Sequence, residues 1–139
     1  MYDTILVPTD GSDPANRAVE HGISLAKQFG ATIHAMYVVD TNRYGEPALS
    51  SAELVIDELE DFGSELVGDV AERADTVDVG TTTHVCHGAP DEEIIAYADE
   101  VDADLIVMGF QGQSRRREGH MGSVADLVSQ RANRPVLTV

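Results

Sequence analysis

The chemistry this chain could perform is concentrated late in its sequence. Residues Gly109-Phe110-Gln111-Gly112 and Gly122-Ser123-Val124 frame a stretch with the pattern Gly-x2-Gly-x9-Gly-Ser. Glycines let backbone amides come close to a ligand, and the first N–H groups of a helix attract anions, so this pattern suits a polyphosphate. Ser123 is placed to cap the helix that follows and to donate to a phosphate oxygen. At ordinary residue frequencies the pattern arises by chance in roughly one such chain in a hundred. Between its halves lies Arg115-Arg116-Arg117-Glu118-Gly119-His120. Two accounts fit these arginines: charge-assisted bonds to phosphates, with Arg115 first in line, or solvated charge on a loop.

Other phosphate-binding patterns are missing. Pro8-Thr9-Asp10 stands where a dinucleotide fingerprint would need glycines, and Lys27 follows no glycine-rich phosphate loop. A phosphoaspartate receiver would carry an acidic pair after the first strand and a lysine after the fifth, and the chain has neither. Thr83-His84-Val85-Cys86-His87 brings two imidazoles and a thiol together. On a strand, however, His84 and Cys86 share a face while His87 points away, so strand-end polar residues are the expected reading. No catalytic residue and no protein metal site is assigned.

The elements that must position the glycine pattern alternate along the chain. Thr4-Ile5-Leu6-Val7 is an apolar run suited to a strand buried on both faces. Ser12-Asp13-Pro14 reads as a helix start and Gly30 as its stop. A second strand spans Thr32 to Val39, and a loop with Gly45 and Pro47 follows. A long helix then has the stripe Val55, Leu59, Phe62, Leu66 and Val70. A weaker strand is expected from Asp78 to Cys86, then a helix with Asp91, Glu92 and Glu93 in its first turn. Leu105-Ile106-Val107-Met108, a helix through Val124, Leu127 and Val128, and Val136-Leu137-Thr138-Val139 complete the series. Strict β-α alternation predicts one α/β domain over residues 1–139: a doubly wound, five-stranded parallel sheet with helices on both faces. Flavodoxin-like strand order is the commonest for five strands, with the Rossmann-like order beside it. Ligands of such sheets bind beyond the carboxyl ends of the strands where the order reverses, which selects Pro8-Thr9-Asp10-Gly11 and the loop after Met108.

Charge narrows the partners. Against 25 Asp and Glu the 139 residues set 9 Lys and Arg, a formal net charge of −16. That balance argues against nucleic acid or an anionic membrane surface. Eight of the nine bases are Arg, and so acidic a chain suits concentrated salt, where charges are screened within a few ångströms. Residues 109–139 hold 2 acids against 5 bases, so the last quarter is locally positive. A lone cysteine, a start without a secretory signal and the lack of a long apolar run point to a cytoplasmic protein.

The chain resembles the universal stress protein family along essentially its whole length. The resemblance rests on Ile5-Leu6-Val7-Pro8-Thr9-Asp10-Gly11-Ser12, Tyr37-Val38-Val39-Asp40, Gly88-Ala89-Pro90, Val107-Met108-Gly109, the glycine pattern and Arg134-Pro135-Val136-Leu137-Thr138-Val139. It implies the architecture of the adenine nucleotide alpha hydrolase-like proteins, and the glycine pattern marks the family's ATP-binding branch. By resemblance, Asp10 meets the adenine or ribose beside Pro8 and Thr9, the Val38 backbone reads the adenine edge, and Met108 and Gly109 line the ribose side. Gly112, Gly122, Ser123 and Val124 would hold the triphosphate, with Mg²⁺ or Mn²⁺. Where this chain has Arg115 to His120, family members often carry small or apolar residues. With no base aimed at a water, the expected function is ATP-binding stress regulation with at most slow hydrolysis. The alternatives are a protein-interaction module without nucleotide and a nucleotide hydrolase. Strand 136–139, with no helix after it to cover the sheet edge, predicts a homodimer.

Overall fold

The structure, a computed structural model, describes residues 1–41, 50–112 and 121–139. The expected loop around Gly45 and Pro47 lies outside the described residues. Five strands, β1 (Thr4–Pro8), β2 (Thr32–Asp40), β3 (Thr81–Gly88), β4 (Leu105–Met108) and β5 (Val136–Thr138), form one parallel sheet. Between them run α1 (Asp13–Phe29), α2 (Ser50–Asp75), α3 (Pro90–Glu100) and α4 (Ser123–Arg131). The strand order is β3-β2-β1-β4-β5, the Rossmann-like arrangement and not the flavodoxin-like one. Because crossovers are right-handed, the connections running toward β3 place their helices on one face and those running toward β5 on the other.

Two cores result. Ile5, Val7, Ile33, Ala35, Val39 and Val107 pack against α1 and α2. Leu6, Met36, Ile106 and Met108 pack against α3 and α4. Neighbouring residues of β1 and β4 are thus buried on opposite faces, which is why these segments are apolar at every position. The start of α1 follows the expected chemistry: Ser12 accepts from the Ala15 N–H at 3.3 Å, and Pro14 sits in the first turn. Gly30 ends it with φ 70°.

Two expectations shift. Strand β3 begins at Thr81, not Asp78, because Asp78 takes φ 61° and Val79 N–H bonds to Ala74 O at 3.0 Å. Val79 is therefore a buried plug under the end of α2 and not a strand residue. The buried stripe of α2 is also shifted in part: Leu59, Leu66 and Val70 pack on the core as expected, joined by the buried Gly63, Val67 and Ala74, while Phe62 is 43% exposed and Val55 37% exposed.

Side chains far apart in sequence fix the starts of β1 and β5. Arg134, whose side chain is only 15% exposed, donates to Ala98 O at 3.0 Å, to Ala103 O and to Asp99 Oδ1, tying the end of α3 to the start of β5. Asp104 Oδ2 accepts the N–H groups of Asp3 at 2.8 Å and Thr4 at 2.9 Å, aligning β1 with β4. These bonds hold the Asp104 carboxyl below the ordinary carboxylate value, since they favour its charged form. A depressed folded pKa means stability present above the unfolded value and lost as pH falls through the folded one. Asp104→Asn should therefore lower the urea midpoint at pH 7 and flatten the midpoint's decline in acid, measured between pH 7 and 3.

Candidate functional site

Beyond the carboxyl end of β1 the chain turns tightly. Thr9 N–H bonds to Met36 O at 2.8 Å, and Gly11, with φ 81°, donates to Thr9 Oγ1 at 3.2 Å. Asp10 Oδ1 accepts the Ser12 N–H at 2.9 Å, an Asx turn that feeds α1. Its other oxygen faces the loop after β4: a Cβ at Gly112 would lie 2.6 Å from Asp10 Oδ2. The two segments selected from the sequence therefore meet.

The loop after β4 is pinned at both ends. Phe110 N–H bonds to Val139 O at 2.7 Å, and Gly122 N–H bonds to Phe110 O at 2.9 Å. Gly109 lies against the first turn of α1, where a Cβ would come 2.8 Å from Ala15 N and 2.9 Å from Pro14 C. Gly122, and not Ser123, occupies the N-cap position of α4, with φ −67° and ψ 154° and no side-chain cap. A Cβ at Gly122 would lie 3.2 Å from Gln111 Cα, a tight fit that favours glycine where the loop's two ends cross. Ser123 becomes the first helical residue and is exposed, leaving its hydroxyl outside any cap. The N–H groups at a helix start have no intrahelical acceptor, and here the first residues of α4, Ser123, Val124 and Ala125, border the cleft.

These pieces enclose a cavity of about 580 Å³, within the range of small-molecule sites. Pro8, Thr9, Asp10, Val38, Met108, Gly109, Gly112, Gly122, Ser123 and Val124 all line it. Arg115, the remaining expected contact, lies outside the described residues, as do Arg116 and Arg117. Sequence reasoning missed Leu59 and Phe62 of α2, Ile94 of α3, and Asp40 at the end of β2. Leu59 and Phe62 belong to the helical stripe of α2, and only the fold shows that α2 overhangs the strand ends there.

The sequence profile described as the Universal stress protein family matches residues 1–139. The chain belongs to the universal stress protein family. It is 40% identical over 140 residues to Universal stress protein MJ0531 of Methanocaldococcus jannaschii, covering 100% of this chain and 82% of that one. Among solved structures, universal stress protein UspA from Lactobacillus plantarum superposes with a TM-score of 0.91 at 28% identity, over 99% of this chain and 97% of that one. A universal stress protein in complex with cAMP superposes with a TM-score of 0.71 at 27% identity, over 99% of this chain and 96% of that one.

Three of the described histidines of this universal stress protein, His34, His84 and His87, are used elsewhere. His84 stacks on Tyr97 with ring centroids 4.0 Å apart and planes 3° from parallel, and the Tyr97 hydroxyl meets His34 Nδ1 at 3.0 Å. Burial, and then His84, lowers the His34 pKa. Burial, and then Glu93, pushes the Cys86 thiol up to about 11, so it is a thiol at neutral pH. His87 lies on the other face, its Nε2 2.7 Å from Glu60 Oε1. Among the described residues no three His, Cys, Asp or Glu side chains could hold a metal ion. No described helix is long and apolar enough to cross a membrane.

The contact at Gly109 gives a direct test of how the site is built. Gly109→Ala must displace backbone of α1, and should cost about 1–3 kcal/mol in urea unfolding. Gly68→Ala, in open space on α2, should instead be neutral or stabilising by about 0.5–1 kcal/mol.

Proposed function

We propose that this universal stress protein binds an adenine nucleotide, with ATP as its ligand, in the cleft between β1 and β4. The observation that carries the reading is the convergence of the β1 turn, the paired glycine segments and the N-terminus of α4 on one cavity. The relative solved with cAMP supports the same ligand class.

Electrostatics orients the ligand. Asp40 stands at the β2 end of the cavity, so phosphates are disfavoured there. The α4 N-terminus at the opposite end attracts them, through the backbone N–H groups of Ser123, Val124 and Ala125. The base then lies over Val38, and the ribose passes Asp10 and Gly109. A Mg²⁺ or Mn²⁺ ion would be carried on the phosphates. Among the described residues none aims a base at an attacking water, and in this reading the site holds nucleotide and hydrolyses it slowly at most.

In this reading residues 1–139 act as one domain in a cytoplasmic stress-response regulator adapted to salt. Two copies pair through β5, an edge strand whose Leu137 is 38% exposed.

Calorimetric titration of ATP in molar KCl, with and without Mg²⁺, tests the reading. Saturable, stoichiometric binding is expected, with ATP turnover slower than release of the bound nucleotide. A titration with no heat and no nucleotide in the denatured, freshly purified protein would leave an interaction module. Multiple-turnover phosphate release would make it a hydrolase.

A further inference from the structure

The α2 side of the cavity is apolar and reached by solvent. Phe62 is 43% exposed, yet its ring is held firmly. It meets Tyr37 edge-on, with centroids 5.9 Å apart and planes at 82°. Tyr37 is itself buried and lies over Gly63, where any Cβ would run into its ring. The glycine at 63 thus lets Tyr37 settle, and Tyr37 sets the angle of Phe62. On its other side the ring reaches the β1 turn: a Cβ at Gly11 would lie 3.3 Å from Phe62 Cζ. Leu59 stands beside it on α2, while Ile94 of α3 forms the facing wall.

A fixed aromatic ring at the rim of a cleft leaves apolar surface in water unless a ligand covers it. Two apolar walls over a polar strand end fit a planar heteroaromatic group: the walls take its faces or edges, and the backbone takes its polar rim. We infer that Phe62 is a base-recognition residue, its ring packing on the heteroaromatic base so that the nucleoside, more than the phosphates, anchors the ligand. This rests on the nucleotide reading above. The contact carries no charge, so it persists in concentrated salt, where bonds to phosphate are weakened.

Titrations of adenosine and of Mg·ATP against the wild-type protein, Phe62→Ser and Phe62→Leu, all in molar KCl, test it. Phe62→Ser should weaken both ligands by the same factor, about tenfold, the scale of one base–aromatic contact. Phe62→Leu keeps the apolar packing but loses the ring, and should weaken both by a smaller common factor; it also serves if the serine variant melts early. Wild-type affinity for adenosine in both variants, or a loss confined to ATP, would overturn the inference. If the wild-type protein binds neither ligand, the nucleotide reading itself fails and takes this inference with it.

Discussion

Strands β1 and β4 lie side by side, and the chain leaves them in opposite directions. The connections after β1 and β2 carry the chain toward β3, whereas the one after β4 carries it toward β5. No connection therefore crosses the carboxyl ends of this pair, and a crevice opens above them. The central strands are buried on both faces, so the crevice has a rigid floor. The Asx turn at Asp10 and the crossing at Phe110 and Gly122 follow from having to leave that floor in opposite senses without filling the space.

Charge is distributed to match. A chain of net charge −16 repels anions at long range, more so in dilute salt. Its cleft offsets this locally with a helix N-terminus, which attracts through backbone dipoles and needs no basic side chain. Salt screens the general repulsion within a few ångströms but acts less on groups in a cleft. In this account the acidity concerns the solvent, and the arrangement at the end of α4 concerns the ligand.

Much of the fold was legible because parallel strands buried on both faces leave a strong mark: Ile5-Leu6-Val7 and Leu105-Ile106-Val107-Met108 are apolar at every position. The glycines at 109, 112 and 122 were legible for a related reason, since backbone at 109 and 122 and the Asp10 carboxylate at 112 leave little room for a side chain. What could not be read depended on rotation or on contacts distant in sequence. Val79 looks like a strand residue until Asp78 takes positive φ and turns the chain early. Phe62 fits a helical core stripe, and only the overhang of α2 past the strand ends turns it into the cleft. Ser123 looks like a cap by composition, yet the clamp between Gly122 and Phe110 moves the helix start by one residue. The strand order was likewise hidden, because local patterns do not say on which side of β1 the later strands are laid.

The central claim is that one crevice, at the reversal between β1 and β4, receives a nucleotide with its base toward β2 and its phosphates toward α4. Backbone amide NMR shifts recorded while ATP and Mg²⁺ are added in molar KCl test it most directly. The account predicts shifts at Thr9, Asp10, Val38, Gly109, Gly112, Ser123 and Val124, with AMP reproducing those at Val38 and weakening those at Ser123 and Val124. Shifts confined to the outer edges of the sheet, around β3 or β5, would contradict it.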